Sequence, residues 1–185
     1  MSRRRRSEGG QAIIETAVVI AVLLSLLMGV YSVAQYAADQ NTAGTATRAG
    51  ARLASELGNG GYNGSTFSGC QANAKDPCAL DKQIVQTVCQ IAATMPFVSS
   101  IDEVDIYRAT GSGSTGDLTD QYTSCTAGAS AVSATYTLDY RVQVHPNEAY
   151  VGVSLKYHYK SPVPLFPLAT VSTVYTVVQL SPKFN

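Results

Sequence analysis

Residues 9–38 read GGQAIIETAVVIAVLLSLLMGVYSVAQYAA, and the rest of the chain is organised around this stretch. From Thr16 to Ala38 no residue is charged, a run of 23 positions; about 20 apolar residues suffice for a helix to cross a bilayer. Four arginines, Arg3 to Arg6, precede the run, and one acid, Glu15, lies at its inner end. Cations directly before an apolar span stay in the cytoplasm. The expected topology is therefore a single-pass plasma (inner) membrane helix, N-terminus cytoplasmic, with the C-terminal domain exported into contact with neither cytosol nor nucleic acid. Charge agrees. The chain is neutral overall, residues 1–10 carry +3, and the remainder carries −3, which is not the basic footprint of a nucleic-acid-binding surface.

Three kinds of segment fit such a run. A secretory signal peptide is cut after its apolar core, but this core is long and no small-x-small site ends it. A plain signal anchor leaves two features unexplained: the glycine at the polar–apolar border and the acid inside the helix. A leader cut before the apolar run explains both. GGQAIIET resembles the cleavage motif of prepilins, a glycine, four mostly apolar residues and then a glutamate. The longer pattern from Gly10 to Ala54, ending in TRAGARLA, resembles the TadE-like minor pseudopilins of tight-adherence (Flp-type) pili, with Thr16 standing where that family commonly has an aromatic.

The resemblance implies a structural protein rather than an enzyme, with no cofactor and no bound metal. It implies cleavage by a prepilin peptidase between Gly10 and Gln11, which makes Glu15 the fifth mature residue. It implies partners among other pilin or pseudopilin subunits and the inner-membrane assembly machinery, besides the lipid bilayer. The Glu15 carboxylate would neutralise the new amino terminus of Gln11, within a subunit or between neighbours. The division expected is a leader over 1–10, a transmembrane and extended helix over 11–57, and an exported α+β domain over 58–185. An uncleaved membrane-anchored binding domain, a pseudopilin of a type II secretion system and an exported hydrolase with an unrecognised site are the alternatives.

Along the helix, Ala17, Ala21, Ser25 and Gly29 recur every four residues and form a small-residue stripe along which another helix could approach closely. Ala46, Gly50 and Ala54 repeat the spacing, facing either the protein's own sheet or a neighbour. Arg48 and Arg52 read as a solvated or acid-paired face. The glycine-rich residues 58–69 end the helix. A second, amphipathic helix is expected over Leu80–Met95, with Leu80, Ile84, Val88, Ile91 and Met95 on its apolar stripe, Asp81 in its first turn and Pro96 stopping it. Cys70, Cys78, Cys89 and Cys125 all lie in the exported part, which suggests two disulfides. The pairing leans to Cys70–Cys78 and Cys89–Cys125. Their spacings lack the paired CxxC of zinc ribbons.

The remainder reads as strands. Glu103–Thr110 is a short one, and a loop is expected over Gly111–Ala131. That loop contains GSGSTG, a weak match to GxGxxG without the βαβ setting that would give it meaning. Alternation over Ala134–Val144 and over Tyr150–Lys160 predicts a hairpin turning at residues 146–148, and Ala169–Leu180 predicts a final strand. The fold class is α+β, a long helix and a second helix on an antiparallel sheet of about four strands. Tyr136, Tyr140, Tyr157 and Tyr159 fall on the predicted apolar face, where core packing outweighs a sugar-binding platform. His145 and His158 read as surface residues. No HExxH, GxSxG or P-loop occurs.

Overall fold

The computed structural model describes residues 5–58, 78–110, 116–123, 125, 131–141, 149–163 and 169–181. Helix α1 runs unbroken over Arg5–Leu57, 53 residues, or about 80 Å at 1.5 Å per residue. It has no proline to stop it and ends at Gly58, whose φ of 52° supplies the left-handed residue that closes helices. Helix α2 spans Cys78–Ala92. It stops three residues before the predicted end, because the N–H groups of Thr94 and Met95 tighten onto Ile91 and Ala92 and the residue before Pro96 disfavours the helical region.

Five antiparallel strands form one sheet: β1 Val98–Ala109, β2 Thr119–Tyr122, β3 Ser133–Ala134, β4 Tyr150–Lys160 and β5 Ala169–Gln179, in the order β3-β2-β1-β4-β5. The α+β class and the bounds of β4 match the sequence reading, and β5 ends one residue short of it. Strand β1 begins at Val98 rather than Glu103. Two register shifts in its first half break the period of two that would have announced it. Strand β2 lies inside the segment expected to be a loop. Its inward alternation is carried by Asp120 and Tyr122, and a buried aspartate does not look like a core residue in a sequence.

The predicted hairpin of Ala134–Val144 with Tyr150–Lys160 is wrong. After the two residues of β3 the chain leaves the sheet and makes a 3-10 turn at Leu138–Tyr140. Strand β4 pairs instead with β1 and β5. Tyr136, Leu138, Tyr157 and Tyr159 are core residues as expected, but Tyr140 is exposed. Arg141, expected on the wet face, is among the most buried side chains. The turn rotates it inward, where two acids receive it. Val142, Val144, His145 and the turn at 146–148 lie outside the described residues.

The core lies between the sheet, α2 and the C-terminal half of α1. Ala43, Ala46, Ala51 and Ala54 of α1 are buried with Ile84 and Val88 of α2 and with Val153, Leu155 and Tyr157 of β4. The second small-residue stripe thus faces the protein's own head. A side chain at Gly50 would overlap Val88, so the close approach of α1 and α2 requires glycine there.

Candidate assembly surface

The two halves of α1 live in different surroundings. From Ile13 to Val33 every large apolar side chain is exposed; Ile13, Ile14 and Val30 keep two thirds or more of their surface free. The head takes hold of this stretch only at its outer end, at Ser32. The stretch is long and apolar enough to cross a membrane, and its polar atoms are arranged for that. Thr16 Oγ donates to the Ala12 carbonyl at 2.8 Å and Ser25 Oγ to the Val22 carbonyl at 2.8 Å. The helix thereby satisfies its own hydroxyls, as an apolar solvent demands. Glu15 is the one charged residue between Gln11 and Ala38. It is exposed, one turn beyond Gln11, and no described residue pairs with it.

The structure leaves Ala17 and Ala21 exposed and Ser25 and Gly29 half-buried on this helix. The stripe opens at its outer end into a shallow groove lined by Ser25, Leu26, Gly29, Val30, Val33 and Ala34, almost wholly apolar. Gly10 is also exposed.

The head takes hold of α1 at Ser32, well inside the uncharged run. The Tyr159 hydroxyl donates to the Ser32 carbonyl at 3.3 Å, and the Ser161 hydroxyl donates to the Ser32 hydroxyl at 3.3 Å. Tyr36 stacks edge-on against Tyr159 at 5.1 Å and shares a hydrogen bond with Ser172 at 3.1 Å. Further up, Thr47 meets Thr176 at 3.0 Å, and Ser55 donates to the Gln179 carbonyl at 2.7 Å. The seam between α1 and β5 is therefore made of hydroxyls and small residues. The sequence signals it through Ser32, Gln35, Tyr36, Asp39 and Gln40, polar groups that recur at helical spacing where the apolar run gives out.

Sequence reasoning missed a buried charge cluster in the head. The Arg141 guanidinium lies 2.7 Å from Asp81 Oδ1 and 3.2 Å from Asp120 Oδ2, with all three side chains essentially without solvent contact. It also stacks over the Tyr136 ring at 4.7 Å. Asp120 accepts from the Tyr136 backbone N–H at 2.8 Å. Burial, reinforced by the neighbouring Asp81, pushes the Asp120 carboxyl up to about 8. One guanidinium is thus shared by two buried acids. The cluster ties α2, β2 and the 3-10 turn together. Cys89 of α2 is joined to Cys125 by a disulfide. Cys70 and the Cys78 side chain lie outside the described residues.

On the open face of the sheet, His158 Nδ1 is 2.7 Å from an Asp102 oxygen and 3.4 Å from Ser100 Oγ. Serine, histidine and aspartate here do not form a nucleophile relay, because both partners approach the same ring nitrogen, and a relay needs them on opposite ones. Next to them, Asp105 is raised to about 6 by burial and by the Glu103 carboxylate beside it. Arg52 pairs with Glu56 on the solvent side of α1 at 3.0 Å, and Arg48 is exposed. Of GSGSTG only Gly116 falls among the described residues. No group of three or more potential metal ligands occurs among the described residues.

These features define a class: an α+β head carried on one long helix whose N-terminal half is apolar, exposed and of membrane-crossing length. Residues 10–52 match the family model described as TadE-like protein. The match covers α1 from Gly10 almost to its end, and none of the sheet. No curated protein and no solved structure matches the chain.

Proposed function

We propose that this protein is a minor pseudopilin that supports the assembly or initiation of a tight-adherence pilus, is cut after Gly10 by a prepilin peptidase, and acts structurally rather than as a catalyst. The observation that carries the reading is the division of α1. Its TadE-like segment leaves a self-satisfied apolar half outside the head, ending in a glutamate one turn from the cleavage position. A carboxylate within an apolar run costs about 2.5–3.5 kcal/mol at mid-bilayer and less near the interface, so a partner charge is favoured. The amino group created at Gln11 supplies one, either in the same subunit or in a neighbour. The stripe from Ala17 to Gly29 lets the neighbouring helix come close while the charge pair sets the register.

Mass spectrometry of the mature protein after co-expression with a prepilin peptidase tests the reading. The mature chain should begin at Gln11, and Gly10→Glu should abolish the mobility shift, since a charged side chain replaces a position without one. An intact leader in the wild type would leave an uncleaved, membrane-anchored binding domain as the better description.

A further inference from the structure

The position at which the head grips α1 fixes how far it stands from the bilayer. The helix is free of the head from Gln11 to Tyr31 and held from Ser32 onward. Those 21 residues span about 31 Å at 1.5 Å per residue, and the hydrocarbon core is about 30 Å thick. No length remains for a spacer between lipid and head. With an upright span that starts at Gln11, the lower end of the sheet, where β4 ends and β1 begins, lies at headgroup level.

The chemistry of that end suits the position. Lys160, exposed, follows the last core tyrosine of β4, and Ser161, next to it, touches Ser32. The Lys160 backbone N–H donates to the Phe97 carbonyl at 2.9 Å, which brings the turn after α2 to the same level. Between them opens a cleft lined by Pro96, Phe97, Val98, Lys160, Ser161 and Pro162. Tyr31, half exposed, lies on α1 one residue below the grip. A cation on a flexible stem, an aromatic belt residue and prolines without N–H groups are what an interface between lipid and water accepts.

We propose that this cleft is a lipid-contact surface, in which the Lys160 ammonium takes the phosphate of an anionic headgroup while Pro96, Phe97 and Pro162 rest against the glycerol region. The proposal rests on α1 crossing the membrane, and the test separates the two. The chain contains no tryptophan, so a single introduced one reports its own surroundings. Full-length Pro162→Trp, Pro96→Trp, Val22→Trp and Tyr140→Trp would be reconstituted in vesicles of phosphatidylcholine and phosphatidylglycerol. The quenchers are a headgroup spin label and, separately, brominated acyl chains. Val22→Trp should be quenched by bromine, and both proline variants by the headgroup label. Tyr140→Trp, beside Arg108 at the opposite end of the sheet, should be quenched by neither. Adding Lys160→Glu should weaken headgroup quenching of Pro96→Trp in the anionic vesicles and leave it unchanged in pure phosphatidylcholine. If Val22→Trp is quenched while both proline variants behave like Tyr140→Trp, the head stands clear of the lipid and the surface is refuted, with the span intact. If Val22→Trp also escapes quenching, the span and the surface fall together. Should Pro162→Trp not fold, Pro96→Trp decides alone.

Discussion

Replacing Arg141 by methionine should damage the head more than any surface change, and the effect should depend on pH. The substitution keeps a similar stem but leaves Asp81 and Asp120, both inaccessible, without their cation. Breaking a buried ion pair from one side costs about 3–5 kcal/mol. The stacking on Tyr136 goes too, a further ~2 kcal/mol in a desolvated site. For a head of this size, even ~4 kcal/mol lowers Tm by about 12–16 °C at about 3–4 °C per kcal/mol. Thermal unfolding followed by circular dichroism on detergent-solubilised protein reads this directly. The loss should shrink as pH falls, because protonation removes the unpaired charge. Asp120→Asn is the companion. The folded pKa of Asp120 lies above its ordinary value, at about 8. A raised carboxyl contributes stability that is full below the unfolded pKa, near 4, and is lost as pH rises through about 8. The asparagine should therefore cost little at pH 6 and make the protein more stable than wild type at pH 9. A Tm for Arg141→Met within about 3 °C of wild type, a shift worth ~1 kcal/mol, would refute the account of the cluster. So would a decline of wild type and Asp120→Asn in parallel between pH 6 and pH 9.

Glu15→Ala should insert, be processed and leave the Tm of the head unchanged, yet fail to support pili or co-purify with a partner pilin; normal piliation at normal expression would remove the assembly role. Gly50→Leu should separate α1 from α2, because the new side chain enters the space of Val88. Overpacking of this kind costs about 1–3 kcal/mol, visible as a lower Tm and earlier proteolysis between the helices. Replacing Cys89 and Cys125 by serine opens a loop of sequence separation 36. It should cost about 2–4 kcal/mol, seen as a lowered denaturation midpoint that reducing agent reproduces in the wild type.

The parts of the fold that were legible in the sequence are those whose residues follow one rule throughout. Strand β4 alternates without a break from Tyr150 to Lys160, and both of its bounds were readable. Helix α1 has neither proline nor a glycine cluster before Gly58, and its single-element character was readable too. What escaped was built on exceptions. Two bulges hid the first half of β1. Strand β2 turns an aspartate inward. The segment after β3 imitates a strand in composition, but a 3-10 turn and one buried arginine take it elsewhere. These misses have a common origin. Asp81, Asp120 and Arg141 are charged residues used as core, and each is tolerable only because the other two are there. A reading that takes residues one at a time places each of them in solvent.

The small residues of α1 show a different limit. Ala17, Ala21, Ser25 and Gly29 have the same spacing as Ala46, Gly50 and Ala54, and periodicity alone could not tell which stripe serves the chain itself. The head resolves this by consuming one of them. Gly50 lies against Ile84, Val88 and Val153, so the outer stripe is closed to any partner unless the head unfolds. A side chain at Gly29, by contrast, would meet nothing within 4 Å. Between the two stripes runs the hydroxyl seam of Ser32, Tyr36, Thr47 and Ser55, which suits a protein neighbour and would be costly in lipid. The helix therefore changes solvent at Ser32, and the small-residue face of its outer half is committed to the head. Close packing of another helix on small residues of α1 falls to the inner stripe, and from Gln11 to Ala38 Glu15 is the one charged residue that could fix a register.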